Sequence, residues 1–476
     1  MYRKKTKIVA TIGPVTSSEE MLTKLLKAGL NIVRLNFSHG DFAEHQTKID
    51  NLKKAMFKTG IPAAVMQDLG GPKIRTGDFS TETVTLKPGQ IFTITTDKII
   101  GDETRVSVNY APLPKEVKKG SFILLHDGKK KLEIIEIKGN NVICKVIVGG
   151  EMKGRRGINL PGAHLSISSL TDKDKKDLIF GIKNKVDFVA FSFVRRAEDI
   201  RELRRLLEKA KSKAKIIAKL EDVEGLENID QIIELVDGVM VARGDMAIEI
   251  GAENVPMVQK MIIKKCNELG KLVITATHML ESMIKNPVPT RAEVSDIANA
   301  IFDGTDAIML SEETTLGEHP VEAVEVMTKV AEKTEKHEMY QHMVADMQKL
   351  KHESIGERVS DAVTNEAVDI ANAVKAKAII ALTNSGFTAR MISRYKPFQP
   401  IIGFTPNEVT ARQLLLSFGV VPVAIKKFKN FHEVLPLIRS HCLKEKLVKK
   451  GDKVVVSVGY PFGQSIDTNM IMVETI

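Results

Sequence analysis

Eight short runs rich in Val, Ile and Ala recur along the first two thirds of the chain: "KIVATIG" (7–13), "NIVRLNF" (31–37), "AAVMQDL" (63–69), "FVAFSF" (188–193), "IIAKLE" (216–221), "GVMVARGD" (238–245), "LVITATHM" (272–279) and "DAIMLS" (306–311). Nothing else in the sequence restricts the fold as strongly. Most runs lead into a segment of helical period, such as "SSEEMLTKLLKAG", where Ser17 and Glu20 suggest a capping box and Gly29 a stop. Strands that are apolar on both faces and alternate with helices belong in a parallel sheet covered on both sides. Eight of them predict an α/β fold with a closed (β/α)8 TIM barrel.

At 476 residues the chain exceeds what one core organises, and its texture changes twice. Between the third and fourth runs, alternating stretches such as "TVTLKPGQIFTITT" and "LEIIEIKGNNVICKVIV" predict an inserted all-β domain, a small barrel or sandwich, at 71–162. The catalytic barrel then comprises 1–70 and 163–335. An insertion after a barrel strand lies at the face where such barrels hold their active sites, so it is placed to act as a lid. Beyond 335, the charged stretch "EKHEMYQHMVADMQKLKHESIGER" predicts a surface helix. The runs "AIIALT", "PIIGFT" and "KVVVSVG" then predict a C-terminal α/β domain at 336–476.

Composition removes several function classes. Net charge is +10, but the lysines are dispersed and aromatic residues make up only 5%, which argues against a nucleic-acid partner and suits anionic small substrates. Cys144, Cys266 and Cys442 are far apart and form no close metal or redox pair. No apolar run is long enough for a membrane span, and the start lacks a signal-peptide pattern, so a cytoplasmic location is expected.

Several barrel strands turn polar at their C-terminal ends, the end where this fold collects its chemistry. Strand two gives Arg34, Asn36, Ser38 and His39; strand three gives Asp68, with Arg75 following; strand five gives Lys219 and Glu221. Strand six is expected to end in Gly244 and Asp245, and strand seven in Thr275 and Thr277. Glu221 and Asp245 come from adjacent strands, and two such anions call for a counter-charge. Mg2+ fits best, because it accepts oxygen ligands and leaves positions for substrate and water. Lys219 should share a side of its strand with Glu221, and Arg34 can grip a phosphate or carboxylate bidentately. "ARGDM" suggests main-chain N–H groups for a substrate carboxylate. His39 and His278 suit hydrogen-bonded structural roles as well as catalytic ones. This chemistry fits phosphoryl transfer or an enolate, and a magnesium-dependent lyase or aldolase, or a silent regulatory homologue, are the competing readings.

The ordered motifs "KIVATIGP", "VRLNFSHG", "GPKIRTG", "GINLPG", "KLEDVEGLENID", "VARGDM", "ITATHMLESMIKNPVPTRAEVSDIANAIFDGTDAIMLS" and "LTNSGFTAR" resemble the pyruvate kinase family across essentially the whole chain. The resemblance implies phosphoryl transfer from phosphoenolpyruvate to ADP, giving pyruvate and ATP, in a homotetramer with a regulatory C-terminal domain. It assigns Lys219 to stabilising the transferring phosphoryl group and the enolate, and Glu221 and Asp245 to Mg2+, with Mn2+ the alternative ion. Arg34 would hold the substrate phosphate. Gly244, Asp245 and Thr277 would meet its carboxylate end, with Thr277 near the carbon that is protonated. Asn36, His39, Arg75 and Arg156 would face the nucleotide. Thr383, Ser385, Gly386 and Thr388 correspond to an effector loop for a sugar phosphate or nucleotide, although such a turn also serves as a plain helix cap.

Departures from the commonest family pattern concentrate in "DLGGPK". Asn36, Ser38 and Asp68 match potassium-binding oxygens, but Leu69 stands where a threonine ligand is usual and Lys73 where a glutamate is usual. The Lys73 ammonium is expected to supply the missing monovalent charge, so K+ should not be required. Arg156 replaces a lysine, Ala247 a glycine, His278 a glutamine and Glu312 a glycine.

Overall fold

The computed structural model describes residues 4–352, 358–462 and 467–476. The chain runs through β1 (Lys7–Thr11), β2 (Ile32–Asn36) and β3 (Ala64–Asp68), then leaves for β4 (Val84–Leu86), β5 (Ile91–Thr95), β6 (Arg105–Ser107) and β7 (Phe122–Leu125). It continues through β8 (Lys130–Lys138), β9 (Asn141–Val148), β10 (Gly150–Met152) and β11 (Ile158–Asn159). It returns through β12 (Phe188–Phe191), β13 (Lys215–Leu220), β14 (Gly238–Ala242), β15 (Leu272–Ala276) and β16 (Ala307–Leu310). The strands β1, β2, β3 and β12 to β16 pair in parallel and close into a barrel, and each falls on one of the eight apolar runs, with β13 starting one residue earlier at Lys215. In the first helix, Glu19–Ala28, the cap is Ser18 rather than Ser17: Ser18 is extended and its side chain accepts from Met21 N. Gly29 ends the helix at φ 119°, a conformation glycine adopts without strain.

The N-terminal end of the barrel is built by one device used four times. The residue just before each even-numbered barrel strand (Asn31, Asp187, Asp237, Asp306) turns a side-chain oxygen onto the amide of the second residue of the preceding strand. The acceptances are from Ile8 N (3.0 Å), Val65 N (2.9 Å), Ile216 N (3.0 Å) and Val273 N (2.9 Å). Buried main-chain donors need partners, and these side chains supply them where the ladder runs out. Each of these accepting residues also meets a cation: Lys4 for Asn31, Arg412 for Asp187, Lys215 and Arg204 for Asp237, and Lys396 for Asp306. Burial alone would raise the pKa of Asp237, but Lys215 and Arg204 hold it well below the usual carboxylate range.

Two of those cations, Arg412 and Lys396, belong to the C-terminal region, which also sends Leu415 and Leu416 into the apolar cluster filling the barrel interior with Val9, Met66, Phe188 and Ile217. That region holds β17 (Ala378–Leu382), β18 (Ile401–Thr405), β19 (Val420–Ala424), β20 (Lys453–Val458) and β21 (Met470–Thr475), in the order β19-β18-β17-β20-β21. All pair in parallel except β21, which is antiparallel to β20. Strands β19 and β21 are additions to the expected three; Pro422 interrupts the strand pattern of β19, and an edge position tolerates it. The charged stretch after 335 forms the helix Glu338–His352, and its residues 353–357 lie outside the described ones.

Strands β4 to β11 form a six-stranded sheet, β11-β7-β8-β9-β5-β6, and a two-stranded ladder, β10-β4, around one apolar core that includes Val84, Phe92, Leu132 and Met152. The ends of the larger sheet's outer strands are linked through residues 75–76, where Arg75 bridges Gly157 beside β11 and Thr76 bridges Val108 beside β6, so the insert comes closer to a small barrel than to a sandwich. No helix among the described residues is long and apolar enough to cross a membrane.

The Lys396 side chain is fully buried and donates to Asp306 Oδ1 at 2.6 Å. Removing one partner of such a pair leaves an uncompensated charge, so Lys396→Met should destabilise the protein by about 3–5 kcal/mol. A clear drop in the urea midpoint is expected; a shift no larger than that of the exposed-site variant Lys377→Met would contradict it.

Candidate active site

Asp68 is the last residue of β3 and is 1% exposed. Its Oδ2 accepts from Arg34 Nε and Nη2, both at 2.6 Å, and its Oδ1 lies 3.4 Å from Lys219 Nζ. Lys219, on β13, also donates to Glu221 Oε1 at 2.9 Å and to Ser192 Oγ at 2.7 Å. One buried carboxylate thus anchors two cations from strands β2 and β13, which β3 and β12 separate in the barrel. Burial by itself would lower the Lys219 pKa, but Asp68 and Glu221 outweigh it and hold the ammonium above its ordinary value. Burial would raise Asp68, and Arg34 and Lys219 bring it below the usual carboxylate range. Arg34 Nη1 finds a further acceptor in Thr11 Oγ1 at 2.7 Å.

Glu221 follows β13 directly, and its Oε2 accepts from Phe193 N at 2.7 Å. Burial pushes its pKa up to about 7; Lys219 opposes this, and the nearby Asp245 carboxylate adds to it. Asp245 has no hydrogen bond or ion pair to the described residues. A divalent ion fits this pair: the Asp245 charge acts on Glu221 with a repulsion that a cation would relieve, and Asp245 has no donor among the described residues. No group of three or more His, Cys, Asp or Glu residues suited to a metal occurs among the described residues, so the protein offers too few ligands for a closed zinc site.

Gly244 and Asp245 are not on a strand, as the sequence suggested. β14 stops at Ala242, and both residues lie in the first turn of the helix Arg243–Ile250. The Gly244 amide is already engaged, donating to Thr277 Oγ1 at 2.8 Å. Thr277 and His278 follow β15 with φ of 70° and 55°, a left-handed path that costs a β-branched residue about 1–3 kcal/mol. Arg243 holds that path in place: Nη2 donates to Thr277 O at 2.7 Å, Nε to Ala276 O at 3.2 Å, and Nη1 meets Asp296 Oδ1 at 2.7 Å. His278 packs over Gly244, where an added Cβ would come within 3.3 Å of its ring. Glu312 opens a short helix, and neighbouring Glu313 fixes the loop by accepting from Leu280 N and Ser311 N. Ala247 packs beside an apolar cluster.

Above the barrel a cleft of about 400 Å³ lies between these residues and the inserted sheet. Its barrel wall includes His39, Arg195, Asp245 and Glu249, and its lid wall Lys73, Arg75, His126, Arg155 and Arg156. Arg156 Nε is buried without a hydrogen-bond partner. Desolvation and the cations Lys73 and Arg75 push His39 below its ordinary pKa. The Lys73 ammonium is lowered by desolvation, Arg75 and Lys219, against the pull of Asp245 and Asp68. Burial raises Glu249 to about 7, with Asp222 and Asp245 adding to it.

Asn36 Oδ1 accepts from Ser38 N at 3.0 Å. Leu69 sits differently from its expected role, because its side chain is fully buried in the apolar layer outside β3 and only its carbonyl, accepting from Ser192 Oγ at 2.7 Å, faces inward. A side-chain ligand at 69 would not reach the pocket, so exchanging threonine for leucine there removes no inward-facing oxygen. In the 383–388 turn, Thr383 Oγ1 accepts from Gly386 N at 3.0 Å and Ser385 Oγ from Phe387 N at 3.4 Å, which closes the turn before the helix Phe387–Ser393, whose N-cap Gly386 supplies no side-chain cap. Thr388 Oγ1 pairs with Thr468 at 2.8 Å. Thr11, Ser192, Arg243 and Glu249 were not anticipated: a strand-interior threonine or serine carries no sequence signal, while Arg243, inside "ARGD", could have been suspected from its neighbours.

A parallel barrel whose C-terminal mouth pairs anchored cations with opposed carboxylates under a basic lid is the architecture of an enzyme acting on phosphorylated anions. Comparison with known proteins makes this specific. The family model "Pyruvate kinase, barrel domain" matches residues 3–324, and "Pyruvate kinase, alpha/beta domain" matches 361–474. The chain is 45% identical over 474 residues to a pyruvate kinase of Clostridium acetobutylicum, covering 99% of both proteins. It is also 45% identical over 476 residues to one of Staphylococcus saprophyticus, covering 99% of this chain and 80% of that longer protein. A crystal structure of a pyruvate kinase from Cryptosporidium parvum superposes with a TM-score of 0.94 at 36% identity, covering 99% of this chain and 96% of that one. The chain belongs to the pyruvate kinase family and is a phosphotransferase.

Because Arg243 braces the backbone through the carbonyls of Ala276 and Thr277 while Asp296 anchors its guanidinium, lysine cannot replace it. Arg243→Lys should lower kcat/KM by about 10–100-fold through misplacement of Thr277. Steady-state kinetics check this, and a value within twofold of wild type would contradict it.

Proposed function

We propose that this chain passes the phosphoryl group of phosphoenolpyruvate to ADP at the mouth of the barrel, with Lys219 as its central cation. The observation that carries this reading is the Asp68 carboxylate shared by Arg34 and Lys219 beside the opposed Glu221 and Asp245. Arg34 grips the phosphate of the bound substrate. Attack by a β-phosphate oxygen of ADP breaks the bond between phosphorus and the enol oxygen, and the electron pair stays on that oxygen as an enolate. Lys219 lies where that charge develops and stabilises it without reorganisation. The enolate then takes a proton at carbon beside Thr277, giving pyruvate. Glu221 and Asp245 would hold Mg2+, or Mn2+ in its place, which neutralises phosphoryl charge when bound.

Residues 1–70 and 163–335 act as the catalytic barrel, 71–162 as the lid and 336–476 as the regulatory domain. The basic cleft supports nucleotide binding there: Asn36, His39, Arg75 and Arg156 receive the ADP phosphates, with Arg156 Nε free for an anion. Lys73 interacts electrostatically with both Asp68 and Asp245, which supports its standing in for K+ beside Asn36, Ser38 and Asp68. The 383–388 turn is the proposed effector loop, and the family likeness supports assembly as a tetramer and a cytoplasmic location.

Lys219→Met should reduce phosphoenolpyruvate-dependent ATP formation by at least about 1,000-fold. Excess chelator should abolish turnover, and Mg2+ should restore it. Undiminished rates in either experiment would overturn the reading. In sodium-only buffer the wild type should run at full rate, while Lys73→Glu should acquire a requirement for K+; a large, saturable K+ activation of the wild type would refute the role given to Lys73.

A further inference from the structure

Two hydroxyls beside this network take no part in the chemistry described so far. Thr11 ends β1 and Ser192 follows β12; they are 3% and 2% exposed. Each accepts a hydrogen bond from a site cation, Thr11 Oγ1 from Arg34 Nη1 at 2.7 Å and Ser192 Oγ from Lys219 Nζ at 2.7 Å. Each also commits its own proton to a main-chain carbonyl. Thr11 donates to Leu310 O at 3.0 Å and Ser192 to Leu69 O at 2.7 Å, the nearer of two acceptors, with Asp68 Oδ1 at 3.3 Å.

A hydroxyl has a single proton, so once that proton is tied to a carbonyl the oxygen can only accept from its other neighbours. Thr11 and Ser192 therefore present lone pairs in fixed directions, pinned to the ends of β16 and β3. Both are neutral, so they orient the cations without drawing their charge away from a substrate. A carboxylate in either place would cancel the field the site needs.

The three protons of Lys219 meet Ser192 at 2.7 Å, Glu221 at 2.9 Å and Asp68 at 3.4 Å. An incoming phosphoryl oxygen must displace one of these acceptors, and the contact to Asp68 is the longest. The bond to Ser192 is short and neutral, so it can direct the ammonium throughout. On the other side, Arg34 has Nε and Nη2 on Asp68, and Thr11 fixes Nη1, the third corner of the guanidinium plane.

Given the roles proposed above for Arg34 and Lys219, we infer that Thr11 and Ser192 are positioning residues for phosphoryl transfer, Thr11 aligning Arg34 for the substrate phosphate and Ser192 aligning Lys219 for the charge that develops on the enol oxygen. The two positions have different kinetic signatures. Arg34 contacts the phosphate already in the bound ground state, so its misalignment is read in KM; Lys219 acts on charge present in the transition state, so its misalignment is read in kcat.

The test is steady-state kinetics of full-length Thr11→Val, Thr11→Ser, Ser192→Ala, Arg34→Met and Lys219→Met, each first checked for a cooperative thermal transition. Thr11→Val, which keeps the shape and removes the acceptor, should raise KM for phosphoenolpyruvate about tenfold, with KM for ADP unchanged and kcat within about threefold. Thr11→Ser should recover most of that loss. Ser192→Ala should lower kcat about 10–100-fold with both KM values near wild type. If Ser192→Ala does not fold, Ser192→Cys, a poor acceptor of similar size, takes its place with the same expectation. The inference is overturned if Thr11→Val and Ser192→Ala move kcat and KM in the same proportion, or move neither, while Arg34→Met and Lys219→Met are crippled. Near-normal turnover by Arg34→Met and Lys219→Met would instead overturn the roles given to those cations, and the inference with them.

Discussion

Two cations cannot be brought together in a buried site unless something holds them, and here Asp68 does so. Its carboxylate is almost wholly removed from water, meets Arg34 through two hydrogen bonds and faces Lys219 across 3.4 Å. Burying the carboxylate alone would be very unfavourable; with both cations in place each charge is compensated and its direction is fixed. Glu221 extends the arrangement by accepting from Lys219 and from Phe193 N, which leaves Asp245 as the acid without donors. The site is consequently rigid on its cationic side and open on the side where a divalent ion and substrate would enter.

The same logic governs the opposite end of the barrel. Asn31, Asp187, Asp237 and Asp306 each close the amide of the preceding strand and then attract a cation. Two of the five cations come from the C-terminal region, so docking of that region is tied to the hydrogen bonding of the strands themselves. Asp187 precedes β12, and β12 runs directly into Ser192 and Phe193 at the site. The C-terminal region and the candidate-site groups thus sit at opposite ends of one strand.

Much of this was legible in the residues. Eight apolar runs gave eight barrel strands because a strand covered on both faces leaves an uninterrupted apolar signature. Lys219 and Glu221 stood out because charge at the end of such a run needs a reason. Less visible were features set by three-dimensional closure. The turn of Gly244 and Asp245 into a helix depends on Thr277, which is distant in sequence, and β19 carries a proline that only its edge position excuses. The inward carbonyl of Leu69 and the hydroxyls of Thr11 and Ser192 have no sequence signature at all, since their function lies in which neighbour the fold gives them.

Steady-state kinetics of Asp68→Asn address the shared anchor most directly. If one carboxylate orients both cations, the neutral amide should raise KM for phosphoenolpyruvate and lower kcat together, with kcat/KM falling by at least about 100-fold in a protein that still folds. A loss confined to one of the two parameters, or a decrease of only a few fold, would show that Arg34 and Lys219 are held independently of Asp68.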